Sequence, residues 1–426
     1  MVSQHYNRQH LRFGTNRFFL LSSNGRSLTM KALILDAEAR TANVREIPTL
    51  SPGVGEVVVQ VEAIALNPID PLYVEHPLAS SGRTIGSDFA GKIASLGPDI
   101  PQAGNLEIGD RVAGFLQGAC SVNDRPGAFA EYVVISWDLV WKVPEKLKLE
   151  QAAGVSLVAL TAAQGIWYRL GLKAPFSYDE EQVLREQPVL ARNRNLDHDG
   201  TMDVFIYGAS TSVGLLAAQM VRLSAKAAGK NVRLFGAASK VRWDLLRSEP
   251  YGYDFLVDYR AKDWPEQIRK FSNGAGMHVA YDCISEGNSV AMISSTLSVN
   301  GKSAIVRSRA GGAWNADDLP VEPIYGAVWE GLGEEVQYQG FTVKQSPAAR
   351  AFAVEFYRWL SEAAGSALIP VPVRLMPGGL DKVVEDGFKL LGPGSMEQRQ
   401  VERPEEWMRP VSAEKLVYTL RNGVAI

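Results

Sequence analysis

The run Val204-Phe205-Ile206-Tyr207-Gly208-Ala209-Ser210-Thr211-Ser212-Val213-Gly214 is apolar at first, then turns on small residues. From there an apolar helical pattern continues to Leu223. A buried strand, a tight turn and a helix in that order form the phosphate-binding unit of a dinucleotide fold. Gly208 lets the chain leave the strand sharply, and Gly214 lets the helix lie close to the sheet. Small residues at Ala209 and Ser210 let backbone N–H groups approach a pyrophosphate at the helix N-terminus. Ser210 stands where the usual spacing has its middle glycine, so a plain strand-to-helix turn of another α/β protein is the competing reading. The unit sits mid-chain, so a substantial segment precedes it.

Asn231 to Ala238 reads as a second short strand ending in small residues. An NAD-binding chain places an acid near that end, to bind the ribose 2′-hydroxyl. Here Ser239-Lys240-Val241-Arg242 follows, and the first acid is Asp244. A hydroxyl and two cations suit a 2′-phosphate and favour NADPH. Alternatively, Lys240 and Arg242 simply open a solvated helix.

Composition narrows the rest. The 426 residues suffice for two domains. With 44 basic and 47 acidic residues there is no cationic field for nucleic acid. No apolar run is long enough to span a membrane. Cys120 and Cys283 are the only cysteines. They exclude a disulfide scaffold and a four-cysteine zinc site, and they fit a reducing compartment such as the cytoplasm. Residues 1–29 carry Arg8, Arg12, Arg17 and Arg26 and no acid. They read either as a mitochondrial presequence or as a disordered extension, with a strand opening at Met30.

Strand and turn signals dominate from Met30 to Pro144. Runs at 56–66, 89–97, 110–115 and 129–134 are punctuated by Gly and Pro, as in a small β-barrel. Leu149 to Leu172 turns helical, and residues 173–202 form a polar, charged insertion. Strands are expected again at 255–259, 279–283 and 302–306.

Asn67-Pro68-Ile69-Asp70, Gly86-Ser87-Asp88-Phe89-Ala90-Gly91, Gly109-Asp110-Arg111-Val112, Gly127-Ala128-Phe129-Ala130-Glu131-Tyr132 and Gln151-Ala152-Ala153 precede the Gly208–Gly214 turn. In that order and spacing the chain resembles the medium-chain dehydrogenase/reductase superfamily. Ser87 stands where the alcohol dehydrogenases carry a zinc-binding His. His76 and Cys120 alone do not complete a metal site, so no metal is expected and the zinc-less branch is indicated. The Tyr207–Thr211 turn, the polar insertion and the ending Ser412-Ala413-Glu414-Lys415-Leu416-Val417 are most similar to the fungal trans-acting enoyl reductases of polyketide synthases.

The resemblance implies an α/β chain with a GroES-like β-barrel catalytic domain plus a Rossmann doubly wound parallel sheet. The barrel domain would comprise 30–155 and 322–426, and the NADP-binding domain 156–321. It implies NADPH-dependent reduction of the α,β double bond of an enoyl thioester, free or carrier-bound, with a polyketide synthase as partner and the protein a monomer or homodimer. A quinone or small-enone reductase is the runner-up, and a non-catalytic NADPH-binding adaptor is the alternative outside enzymology.

Carried over residue by residue, Gly208, Ser210, Thr211, Ser212 and Val213 hold the pyrophosphate. Ser239, Lys240, Arg242 and Tyr259 frame the adenosine 2′-phosphate, although Tyr259 also reads as a buried strand cap. Val306 and Arg307 line the nicotinamide, Ile69 and Asp70 approach from the barrel, and Ser412 returns from the C-terminal segment. Ala162, Gln164, Trp167, Arg169 and Trp329 face substrate, against a reading of Trp167 as core and of the loop around Trp329 as ordinary. Tyr73 is the candidate proton donor, against a packing role. The family has Lys at the position of Leu72, so that donor is not carried over. Residues 173–202 and Gly392 to Pro410 are docking surfaces or solvated loops.

Overall fold

The computed structural model describes residues 29–119, 123–193, 200–316, 318–338, 341–392, 394–396, 399 and 403–420. Cys120 and nearly all of the N-terminal extension lie outside them, as do parts of both candidate docking segments.

The run that opens at Met202 forms the middle of a parallel sheet. Its strands lie in the order Phe255–Val257, Val232–Ala237, Met202–Tyr207, Met277–Asp282, Leu297–Ile305, Ile324–Tyr325, every pair parallel. Val204, Phe205 and Ile206 are fully buried. That is why the strand is continuously apolar rather than alternating: helices cover both faces of such a sheet. Strand order reverses between Met202–Tyr207 and Met277–Asp282, which leaves a crevice outside their carboxyl ends. The sheet ends on Ile324–Tyr325, beyond residue 321.

The second body is a GroES-like sheet, antiparallel except where Val373–Leu375 pairs with Lys415–Thr419, and its long strand, Glu56–Ala65, is shared. Its first half pairs with Tyr132–Ser136 and its last residues with Lys415–Thr419. Its other edge pairs with Asp88–Leu96, which continues through Arg111–Phe115 to Trp141–Lys142. The chain's last described strand therefore closes a sheet begun near its start. Arg374, itself buried, secures that return. Its guanidinium donates to the carbonyls of Trp407 (2.9 Å), Arg409 (2.6 Å) and Pro410 (3.1 Å) and to the Glu414 carboxylate.

Between the two bodies run helices Leu149–Ala153 and Ser156–Ala163, then a wide π turn at Gln164–Arg169. The polar insertion that follows is not simply solvated. Phe176 and Tyr178 join a cluster with Trp167, Phe352, Phe356 and Trp359, with ring centroids 4.9–6.3 Å apart. Val183 and Leu190 are buried beside it. Charged residues hide these anchors in the composition because only one face of helix Glu180–Glu186 meets the core. Glu186 caps helix Pro347–Ala363, accepting from Ser346 Oγ (2.8 Å) and the Ala348 amide (3.0 Å). Substituting Glu186→Ala is expected to lower stability by about 1 kcal/mol, the usual worth of a helix cap. Urea denaturation of the full chain measures it.

Candidate active site

The crevice at the reversal of strand order opens into a cavity of about 270 Å³, closed on the far side by the barrel. Its nucleotide side is the turn after Met202–Tyr207. Gly208 adopts φ +73°, a conformation that residues with a Cβ rarely take. A Cβ on Gly214 would lie 2.3 Å from the Gly208 carbonyl oxygen, so the helix approaches as closely as its glycine allows. Thr211 caps helix Ser212–Ala228: its Oγ1 accepts from the Gly214 amide (3.0 Å) and donates to the Gly208 carbonyl (2.8 Å). Ser210, Thr211, Ser212 and Val213 line the cavity, at the positive end of a long helix.

The loop after Met277–Asp282 is shaped by a buried carboxylate. Asp282 accepts from the amides of Ile284 (2.9 Å) and Ser285 (2.7 Å) and from Ser289 Oγ (2.6 Å). Ser285 Oγ in turn accepts from the Val306 amide (3.0 Å). Ile284, Val306 and Arg307 thereby come to the cavity wall, with Arg307 paired to Glu286 at 3.0 Å. Cys283 also lines the wall, and burial pushes its thiol well above the ordinary range.

The barrel contributes Leu66, Asn67, Pro68 and Ile69, then Ser412 to Leu416 from the returning segment. Lys415 is buried here. Its Nζ donates to Asn67 Oδ1 (2.5 Å) and Asp88 Oδ2 (3.1 Å), while Asp88 Oδ1 accepts from the Leu157 amide (2.9 Å). Asp70, expected at the cofactor, turns away from the cavity instead. It accepts from the Asn67 amide (2.7 Å) and Ser87 Oγ (2.6 Å), and burial pushes its carboxyl up to about 7.

Ser239, Lys240 and Arg242 follow the carboxyl end of Val232–Ala237, and Tyr259 follows that of Phe255–Val257, the neighbouring strand. Tyr259 is 40% exposed, which removes the buried-cap reading. Arg260 lies over the Tyr259 ring, 4.4 Å from its centroid, and donates to Ser239 Oγ (3.0 Å). Arg242 Nε donates to Ser412 Oγ (3.0 Å), joining the end of Val232–Ala237 to the C-terminal segment.

Several expected contacts lie off the cavity. Tyr73, the candidate proton donor, is buried on helix Ile69–Glu75 and is not among the residues that line the cavity. Ala162 is buried, and Trp167 lies in the aromatic cluster with its Nε1 donating to Ser224 Oγ (2.7 Å). Gln164 and Arg169 sit behind the wall rather than on it. The wall itself is Tyr325 to Trp329, and Leu157, Val158 and Thr161 also line the cavity.

Residues 53–145 match the alcohol dehydrogenase GroES-like domain family. The trans-enoyl reductase ACTTS2 of Alternaria alternata is 31% identical over 274 residues, 64% of this chain and 71% of that protein. The chain belongs to the trans-enoyl reductases. These are oxidoreductases of the medium-chain dehydrogenase/reductase superfamily. The enoyl reductase cheB of Chaetomium globosum is 29% identical over 397 residues, covering 89% of this chain and 91% of its own. The fold is also that of mycobacterial Rv1454c, solved as a complex with NADPH. That structure has a TM-score of 0.61 at 20% identity, with 92% of this chain and 99% of that one covered.

The zinc chemistry of alcohol dehydrogenases does not fit this trans-enoyl reductase. The Ser87 hydroxyl is committed to Asp70, the Asp88 carboxylate to Lys415, Asn67 and Leu157, and His76 is exposed. Among the described residues no group of His, Cys, Asp or Glu is placed to hold a metal ion. A dinucleotide does fit, because the close Gly208–Gly214 approach presents the helix N-terminus to the cavity.

Arg260 and Lys415 escaped the sequence reading for different reasons. Arg260 adjoins the flagged Tyr259, and its charge was the available signal. Lys415 lies 348 residues from Asn67, and nothing local reveals that pair.

The buried Asp70 also generates a pH signature. Its folded-state value lies above the unfolded one, 3.8. Folding therefore favours the protonated form, and Asp70's contribution to stability falls as pH rises from about 4 to about 7. Asp70→Asn is expected to become more stable relative to the unaltered protein across that window, with a constant difference above it. Urea midpoints from pH 4 to 8 test this.

Proposed function

We propose that this trans-enoyl reductase reduces the α,β double bond of an enoyl thioester with NADPH, serving a polyketide synthase in trans. The observation that carries the reading is one continuous cavity. It runs from the N-terminus of helix Ser212–Ala228 to an apolar wall of Leu157, Val158, Val328 and Trp329. The names of the relatives, an enoyl reductase and a trans-enoyl reductase, support the reaction.

Bound NADPH supplies the hydride that adds to the β-carbon. Ser210 to Val213 hold its pyrophosphate through backbone N–H groups. Ser239, Lys240, Arg242 and Arg260 hold the 2′-phosphate, with Tyr259 beneath Arg260. Ile69, Val306 and Arg307 flank the nicotinamide end. The apolar wall orients the conjugated thioester and excludes water while negative charge develops on its oxygen. With Tyr73 outside the cavity, the α-carbon takes its proton from solvent at the mouth.

The deciding assay follows reduced-nicotinamide absorbance with an enoyl thioester and a simple quinone offered separately, with NADH as the control. Turnover of the thioester with NADPH is expected. Turnover of the quinone alone would move the chain to the quinone reductases, and NADPH binding without turnover would make it an adaptor. Arg260→Ala is expected to raise the NADPH Kd roughly tenfold, the scale of one charge-assisted contact, and to leave the NADH Kd unmoved. Equal effects on both cofactors would remove Arg260 from the phosphate site.

A further inference from the structure

The wall from Tyr325 to Trp329 is a stretch of backbone laid against a buried cation. Arg169 is 3% exposed, and its NH2 nitrogen donates to Glu330 Oε2 at 2.9 Å. A Cβ on Gly326 would stand 1.7–1.8 Å from three atoms of the Arg169 guanidinium. The planar group therefore lies flat under the Gly326 α-carbon, at a distance that only glycine permits. The other Glu330 oxygen accepts from the Ala327 amide at 3.2 Å and caps the short turn Val328–Leu332. At the far end, Trp329 rests near the Phe115 ring, centroids 5.9 Å apart. A Cβ on Gly331 would meet Leu160 at 2.8 Å. One strand pair holds the near end, Ile305 with Tyr325.

The segment Tyr325–Trp329 thus has its backbone specified from behind. Neither Arg169 nor Glu330 lines the cavity, although every residue from Tyr325 to Trp329 does. We propose that Arg169 and Glu330 are positioning residues that set acyl-chain selectivity by fixing this wall, without touching the acyl chain. The inference rests on the enoyl thioester reading above. It assigns Arg169 a different role from the direct substrate contact that the family resemblance implies.

The argument distinguishes shape from charge. A lysine keeps the charge at position 169 but loses the flat stack under Gly326 and the forked donor geometry. A glutamine at 330 loses the charge and one of the two acceptors: its oxygen can serve the Ala327 amide, but its NH2 then faces the Arg169 guanidinium. If the wall is what matters, Arg169→Lys and Glu330→Gln both disturb it. If only the charge pair matters, Glu330→Gln disturbs it and Arg169→Lys, which keeps the charge, does not.

The test uses the full chain with NADPH and two saturated acyl thioesters as probes, butanoyl- and octanoyl-N-acetylcysteamine. Saturated probes bind without turnover, so the readout survives failure of the proposed reaction. The expected result is a change of roughly tenfold in the octanoyl-to-butanoyl Kd ratio for Arg169→Lys, the scale of a small misfit in an apolar pocket. Glu330→Gln should move the ratio by a similar factor on that same scale. Amide exchange over 325–331 should be faster in Arg169→Lys, while that of helix Ser212–Ala228 and the NADPH Kd stay the same. A merely structural role would weaken both probes equally or loosen the whole chain. An unmoved Kd ratio in Arg169→Lys overturns the proposal, as does a protein that binds neither thioester. Loss of enoyl turnover in the unaltered protein, with the Kd ratios behaving as expected, would overturn the reaction and leave the wall standing.

Discussion

The ammonium of Lys415 holds the floor of this cavity together. It joins the last described strand to Asn67 at the end of the long barrel strand and to Asp88 on its neighbour. The same Asp88 carboxylate accepts from Leu157, at the start of the helix that crosses toward the parallel sheet. One buried cation thus connects the chain's start, its end and its crossing. Burying such a pair is costly in itself. Removing one partner costs more, about 3–5 kcal/mol, because the other is left charged and dry. The physical consequence is specificity of closure: the barrel accepts its final strand in the register that brings Lys415 to Asp88.

Everything that faces the cavity depends on that closure. Asn67, Pro68 and Ile69 lie on the segment that leaves the Lys415 partners, and Ser412 lies on the segment that leads into Lys415. Opposite them, the parallel sheet supplies a crevice wherever its strand order reverses, whatever side chains it carries. Function requires the two halves to meet, and Arg242 to Ser412 is one contact across that meeting. Arg374 supports the arrangement by collecting the carbonyls that precede the last strand.

Legibility in the sequence followed the range of the interaction. The Gly208–Gly214 turn was readable because its constraints act within a strand, a turn and a helix cap. The places of Ser239 to Arg242 after one strand and of Tyr259 after the next were readable for the same reason. Placement across the fold was not. Trp167 reads equally well as pocket or core, and only the arrival of Phe176 and Trp359 makes it core. Asp70 ends a motif that reaches the cavity and Tyr73 follows it, but a helix beginning at Ile69 turns both side chains inward. The charged insertion concealed Phe176, Tyr178, Val183 and Leu190 because composition averages over faces.

By itself, then, the sequence determined the element types, the phosphate turn and the two-body plan. Periodicity, glycine placement and the order of short motifs are local, and each is read from a few neighbouring residues. Tertiary structure alone decided which side chains reach the cavity and which stand behind it. Arg169 belongs to the second group because Gly326, 157 residues later, lies against it with no Cβ between them. Contacts of that separation are set by how sheets and helices pack, and no local pattern carries them.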